Sequence, residues 1–322
     1  MRSLVAIVVL ACAVCASARA QYPERPVTFV VPFAAGGATD TLARQFADRM
    51  ARGAAQPIIV ENVAGAGGTV GAARVAKAKP DGYTFLIGHV GYMAAAAGLY
   101  KQLPYDPARD FDAVARFPDT PLVLIASSTG RYPKLEALVD AARKKPGTVN
   151  VANAGVGSAG HLVAALFASA LNLDVVHIAY KGNAPALTDI LGGQVDCMFD
   201  QSNTALPQVR GGKIVALATT AKKRLPQMPD VPTVDETLLP GFEAATWYGI
   251  YAPRGTPREA IAWMVARFND AMQDEAFTSR LVGDGYVLVP PEARGPEALA
   301  AHTQREIVRW KKVIGDAGIA PQ

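Results

Sequence analysis

Short Val-rich runs alternate along this chain with stretches whose apolar residues recur at helical spacing. Val27–Val31, Pro57–Glu61, Tyr83–Gly88, Thr148–Ala152, Asp174–Ala179, Val195–Phe199 and Ile214–Thr219 read as strands, each short and bounded by turn residues. Leu42, Ala43, Phe46, Ala47 and Met50 form the i, i+1, i+4, i+5, i+8 stripe of a helix with one buried face. A shift of 120 positions lands that stripe on Leu162, Val163, Leu166, Phe167 and Ala170. Another helix runs to about Ala78, ahead of the turn Lys79-Pro80-Asp81-Gly82. Near the end, Ile261, Met264, Val265, Phe268 and Met272 make one stripe and Ile307, Trp310 and Ile314 another. Such β–α alternation predicts an α/β fold with mostly parallel sheets covered by helices on both faces.

Two glycine-rich segments sit at the heads of the two matched helices. Pro32-Phe33-Ala34-Ala35-Gly36-Gly37-Ala38-Thr39-Asp40 follows the first strand, and Asn153-Ala154-Gly155-Val156-Gly157-Ser158-Ala159-Gly160-His161 follows Thr148–Ala152. Two strand–glycine loop–helix units in one chain predict two α/β domains, each presenting a helix N-terminus. Such an end has unpaired N–H groups and the positive pole of the helix dipole, so it attracts anions. Neither loop holds Lys or Arg, so an anion there is met by N–H dipoles alone. The strand-like stretches Pro121–Ser127 and Ala244–Tyr251 carry the chain between the domains, and the tail returns to the first. The expected division is 21–124 plus 248–322 for the first domain and 125–247 for the second.

The N-terminus changes the picture of where this happens. Arg2, an apolar stretch from Leu4 to about Val14, and Ala18-Arg19-Ala20 form a secretory signal peptide over residues 1–20, cleaved near Ala20-Gln21. Val9-Leu10-Ala11-Cys12 loosely resembles a lipid-attachment box, but cleavage there leaves an unusually short apolar core. Removing the leader leaves roughly 300 residues, enough for two ordinary domains. The net charge of +4 falls to about +2 because Arg2 and Arg19 leave with it. Of three cysteines only Cys197 remains, so the fold has no internal disulfide. No basic run marks a nucleic-acid face; Arg143-Lys144-Lys145 reads as a helix end before Pro146-Gly147.

Three catalytic or cofactor readings compete and are weaker. Gly155-Val156-Gly157-Ser158-Ala159-Gly160 fits the dinucleotide spacing, but the next strand, ending at Ile178-Ala179-Tyr180, lacks the acid that binds a ribose. Ser158, His161 and Asp200 are the makings of a hydrolase triad. The local pattern departs from a nucleophile elbow, and a serine at a helix start usually caps backbone N–H groups. His89, His161, His177 and His302 are scattered without metal-ligand spacing. Thr39 reads equally as a cap, and Asp40 as a first-turn acid complementing the dipole.

The same segments resemble the Bug-type solute receptors of tripartite tricarboxylate transporters, nearly end to end. Besides the first glycine loop, the resemblance covers Glu61-Asn62-Val63-Ala64-Gly65-Ala66-Gly67-Gly68, Lys79-Pro80-Asp81-Gly82-Tyr83-Thr84 and Leu103-Pro104-Tyr105-Asp106-Pro107. It continues through Gly157-Ser158 with His161-Leu162, Tyr180-Lys181-Gly182, Gly193-Gln194-Val195-Asp196 and Asp230-Val231-Pro232-Thr233. Trp247-Tyr248-Gly249 and Ala252-Pro253-Arg254-Gly255-Thr256-Pro257 close it.

The resemblance implies a hinged, two-domain periplasmic-binding-protein fold, a Venus flytrap of type II-like form, that closes on a small organic carboxylate partly bridged by water. It places Phe33, Ala34, Ala35, Gly36, Gly37, Thr39 and Asp40 on one side of the ligand, and Asn153, Val156, Gly157, Ser158, Ala159 and His161 on the other. Asp200 is expected to face the cleft and to favour an amino or hydroxyl group, or to bind water. The stretch from His89 to Ala97 lines the ligand's far end; being small and apolar here, it favours a mono- or dicarboxylate with an apolar or aromatic body. No cofactor, metal or catalytic residue is implied. The expected protein is a monomer that delivers its ligand to integral-membrane transporter subunits. An extracytoplasmic sensor feeding a two-component kinase is the alternative, and a secreted hydrolase a distant third.

Overall fold

A computed structural model describes residues 22–316 of the chain; the expected leader, its expected cleavage point and Cys12 lie outside the described residues. Strand β1 (Val27–Val31), helix α1 (Ala38–Met50), β2 (Ile58–Asn62), α2 (Thr69–Ala76) and β3 (Thr84–His89) alternate as the apolar pattern requires. β2 and β3 flank β1 in parallel. A wide π-type turn at Gly91–Ala95 leads into the short helix α3 (Ala96–Leu99). After β4 (Phe111–Arg116) the chain crosses to a second sheet at β5 (Thr120–Ser127). That sheet is built with α4 (Leu135–Lys144), β6 (Asn150–Asn153), α5 (Ala159–Ala170), β7 (Val176–Ala179), α6 (Asn183–Leu191) and β8 (Cys197–Gln201). It continues through α7 (Ser202–Arg210), β9 (Ile214–Thr219), α8 (Val234–Thr237) and β10 (Ala245–Thr246). Trp247 then leads back to β11 (Tyr248–Pro253) in the first sheet, followed by α9 (Arg258–Gln273), α10 (Glu275–Gly283) and α11 (Pro296–Asp316).

The strand orders are β2-β1-β3-β11-β4 and β10-β5-β8-β6-β7, with β9 on β5. Each sheet holds one strand that runs against its neighbours, β11 in the first and β5 in the second. Each is the first strand after a crossing, so the two reversals mark the two places where the chain changes sheets. All of β5 pairs within the second sheet, so the expected division at 124/125 falls inside a strand, and the change lies between Arg116 and Thr120. The stretch Ala244–Tyr251, read as one strand, is two, broken at Trp247. The Trp247 indole donates to Glu306 Oε2 on α11 at 3.0 Å, which fixes the crossing residue to the first sheet's outer helix.

Packing follows the period-2 and period-3.6 patterns that shaped the elements. On β5, Leu122, Leu124 and Ala126 join the main core, while Val123 and Ile125 join the smaller core with Ala186, Ile190, Ala205 and Leu206. Strand residues alternating between two apolar environments are what helices on both sheet faces demand. In the first unit Phe46 of α1 stacks on Phe268 and meets Phe117 and Phe277 edge-on, with centroids 4.6–5.6 Å apart. Phe117 lies in the crossing segment, so this aromatic cluster also anchors one strut between the sheets.

Candidate functional site

Four helix N-termini converge on one narrow cavity of about 10 Å³ between the sheets. Gly37, Ala38 and Thr39 bring the start of α1, Ser158 that of α5, Asn183 that of α6, and Gln201, the N-cap of α7, the fourth. Phe33, His89 and Ala154 complete the wall, and none of these nine residues carries a formal charge. The glycine segments announce only α1 and α5. The other two ends are announced faintly, by Gly182 at φ +134° before α6 and by a polar pair closing β8.

The first loop is tied from behind by Asp40, which is buried and does not line the cavity. Its Oδ2 accepts the Gly36 N–H at 2.9 Å and Arg44 Nε at 2.9 Å, and its Oδ1 accepts Asn62 Nδ2 at 2.9 Å. Burial raises its pKa, but the hydrogen bonds from Arg44, Gly36 and Asn62 outweigh it and hold the carboxyl below its ordinary value. Asn62 also donates to the Phe33 carbonyl at 3.0 Å, so both ends of the loop hang on this pair. Ala34, Ala35 and Gly36 form the tip: a Cβ at Gly182 would stand 3.1 Å from the Ala34 Cβ, and one at Gly37 3.8 Å from the Asn183 Cβ. Loop 1 thus touches the head of α6 in the other unit.

The second loop is held in the same manner by His161. Its Nδ1 accepts the Gly157 N–H at 3.2 Å, and Ser158 Oγ accepts the His161 N–H at 3.3 Å as the side-chain cap of α5. Burial and the neighbouring His177 imidazole, 5.2 Å away between centroids, push the His161 pKa down to about 4. His161 is therefore a neutral brace rather than a wall of the cavity. Asn153 is likewise behind the loop, its Oδ1 taking the Gly155 N–H at 3.0 Å. The triad reading does not assemble: His161 Nδ1 is engaged by the loop backbone, and Asp200 bonds elsewhere. Among the described residues no group of three or more His, Cys, Asp or Glu is gathered to hold a metal.

His89 supplies a donor. Its Nδ1 accepts the Gly91 N–H at 2.9 Å, which leaves the proton on Nε2, and burial pushes its pKa down to about 3. The ring stacks on Tyr92 at 5.4 Å and meets Phe33 edge-on at 5.5 Å, so its orientation is fixed by aromatic packing.

Asp200 differs from its expected place. It is fully buried behind the wall, where it accepts from the Gln201 N–H at 2.8 Å, from Thr204 Oγ1 at 2.7 Å and from Asn183 Nδ2. Burial raises its pKa to about 6 despite these bonds. The residues that reach the cavity are its partners, Asn183 and Gln201.

The two units meet backbone to backbone around the second loop. A Cβ at Gly67 would overlap the Val156 carbonyl, and one at Gly91 the Gly157 carbonyl; one at Gly157 would lie 3.2 Å from Leu99. Val156 therefore serves the interface by its main chain. Ala159, one residue inside α5, lines a separate apolar cavity with Val163, Phe242 and Trp310. On the opposite flank Asn203 Nδ2 donates to the Ala38 carbonyl at 3.2 Å and to the Tyr286 hydroxyl at 2.7 Å, both in the first unit.

Two sheets joined by two crossings, with helix N-termini from both lining one interposed cavity, define a solute-binding receptor of the periplasmic-binding-protein class. The chain belongs to the tripartite tricarboxylate transporter receptor family (TctC, the Bug-type receptors), whose profile matches residues 42–319. That family consists of substrate-binding receptors, not enzymes. The periplasmic binding protein BugD superposes with a TM-score of 0.89 at 40% identity, covering 94% of this chain and all of BugD. MatC from Rhodopseudomonas palustris, solved with bound malate, gives 0.87 at 41% identity over 91% of this chain and 100% of MatC. A second R. palustris protein, solved with adipate, gives 0.89 at 35% identity over 94% of this chain and 100% of that one.

Proposed function

We propose that this chain captures a small organic carboxylate in the periplasm and passes it to the membrane subunits of a tripartite transporter. The observation that carries the reading is the convergence of four helix N-termini on one cavity whose wall has no charged side chain. An anion at such a point is met by oriented N–H groups from both units. Each helix end contributes up to about 1–2 kcal/mol and each charge-assisted hydrogen bond roughly 1.5–3 kcal/mol. A micromolar affinity needs only about −8 kcal/mol net, so four or five such donors are sufficient after desolvation. The narrow gap between the four helix ends favours a small metabolite. The malate and adipate held by family members are in keeping with that.

In this reading residues 22–119 with 248–316 form one hinged domain and 120–247 the other, in a monomer that needs no cofactor. The carboxylate sits between Phe33–Thr39 and Gly157–Ser158, with His89 Nε2–H as an additional neutral donor. Closure follows because a ligand touching both units binds the closed state better than the open one. A thermal-shift screen against small organic acids and their amides tests this. At least one acid is expected to raise the melting temperature while its amide does not. Equal shifts from acid and amide would contradict the carboxylate assignment.

A further inference from the structure

A second cavity, of about 420 Å³, lies where the chain crosses between the sheets and shares no lining residue with the cavity described above. Asp119 brings the first crossing to it, and Ala244 and Ala245 the second. Asp119 and Val287, both in the first unit, exchange backbone hydrogen bonds of 2.9 and 2.8 Å at one wall. The other walls come from the second unit and are apolar: Pro121, Ala221, Leu225 and Pro226. Val287 is 48% exposed at this hollow, so its methyl groups have surface left to bury. The volume falls within the roughly 300–1,000 Å³ of small-molecule sites, which favour domain interfaces and apolar walls with a few polar groups.

The charged groups around it are unevenly committed. Asp119 gives its two oxygens to Arg116 at 2.9 and 2.8 Å. Arg224 is tied to Glu236 at 2.9 Å and to the Pro229 carbonyl at 3.1 Å. Lys222 and Lys223, both exposed, have no carboxylate within 4 Å among the described residues, and Glu243 has no cation there. Two uncommitted ammonium groups against one uncommitted carboxylate leave the rim positive. The lysine stems extend the apolar wall while their heads stay in water.

We infer that this hollow at the hinge binds a small amphipathic anion, an anionic head on a hydrocarbon body. The body lies against Pro121, Ala221, Leu225 and Val287, and the head meets Lys222 and Lys223 at the rim. Neither part is enough alone. An exposed ion pair contributes little by itself, and a neutral body leaves both lysines unused. An amphipathic cation would face two like charges.

Isothermal titration of the protein with octanoate, 1-octanol and acetate tests this at physiological salt. Octanoate is expected to bind at least tenfold tighter than octanol, which lacks the charge, and than acetate, which lacks the body. Lys222→Glu with Lys223→Glu reverses the rim, and Val287→Asp spoils the apolar wall with a charge. Each is expected to weaken octanoate tenfold or more. All three positions are exposed, so both variants are expected to melt within a few degrees of the wild type. No octanoate binding overturns the proposal, and octanol or acetate binding as tightly as octanoate does the same. Wild-type octanoate affinity in both variants places the bound acid elsewhere and overturns it too. Each of these results leaves the capture of a small carboxylate between the glycine loops standing, since that is read from the small acids and their amides.

Discussion

Asn62 and Asp40 form the latch behind the first glycine loop: Asn62 Nδ2 donates to Asp40 Oδ1 at 2.9 Å while also holding the Phe33 carbonyl at 3.0 Å. The carboxylate at the head of α1 is therefore spent on the loop's own backbone and on Arg44. Because it faces away from the cavity, it does not repel an anion there through direct contact. Asp40→Ala removes three hydrogen-bond partners at once and is expected to cost about 2–4 kcal/mol by urea denaturation. It is also expected to weaken acid binding at least tenfold, whereas Asp40→Asn, retaining an acceptor oxygen, costs less on both measures. Unchanged stability and affinity in Asp40→Ala would show that the loop holds its shape without the latch.

Gly67 is a site where folding and closure separate. The three nearest atoms a Cβ would meet there belong to Val156 and Gly157 in the other unit, so Gly67→Ala obstructs the approach of the units. Its φ of +61° adds a cost of about 1 kcal/mol for a side chain. The expected outcome is a melting temperature a few degrees lower and an acid affinity reduced tenfold or more. Wild-type affinity in this variant would mean that the ligand-bound state does not bring Gly67 against Val156.

The buried His89 sets a pH dependence with a definite sign. Its folded-state pKa is depressed to about 3, below the unfolded value near 6.5. As pH falls the unfolded chain takes up the proton first, so the contribution is fully present above about 6.5 and is lost on the way down to about 3. His161 and His302, each depressed to about 4, act in the same direction. Asp200, raised to about 6, acts in the opposite one, adding stability as pH falls through that value. In His89→Asn the fall in unfolding free energy between pH 6.5 and 4.5 should be smaller than in the wild type by about 2–3 kcal/mol. Parallel pH profiles for the two proteins would mean that folding leaves the His89 pKa unshifted.

The pattern along the chain reveals the frame of this site more than its working surface. The helices α1 and α5 are legible because Leu42–Met50 and Leu162–Ala170 repeat one stripe behind glycine loops. β4 is not: in Phe111–Arg116 polar residues break the apolar run, and its place beside β11 depends on a strand more than a hundred positions later. The roles of Asp40, His161 and Asp200 are hidden for a related reason. A polar residue beside a glycine loop reads the same whether it faces a ligand or braces its own backbone, and only the fold shows that all three are braces. Asn183 and Gln201 carry only a faint local signal, Gly182 before the one and the polar close of β8 at the other; they gain a role because α6 and α7 begin where α1 and α5 begin. Gly67 and Gly91 look like turn residues, and their second use, close backbone approach across the units, needs both units in view.

Small-angle X-ray scattering on the purified protein, with and without a saturating acid that binds it, tests the central claim most directly. Capture between two helix-lined loops from separate units requires the radius of gyration to contract on adding the acid and to stay unchanged with its amide. An acid that binds to saturation with no change in scattering would contradict the clamp, because its binding would not draw the two units together.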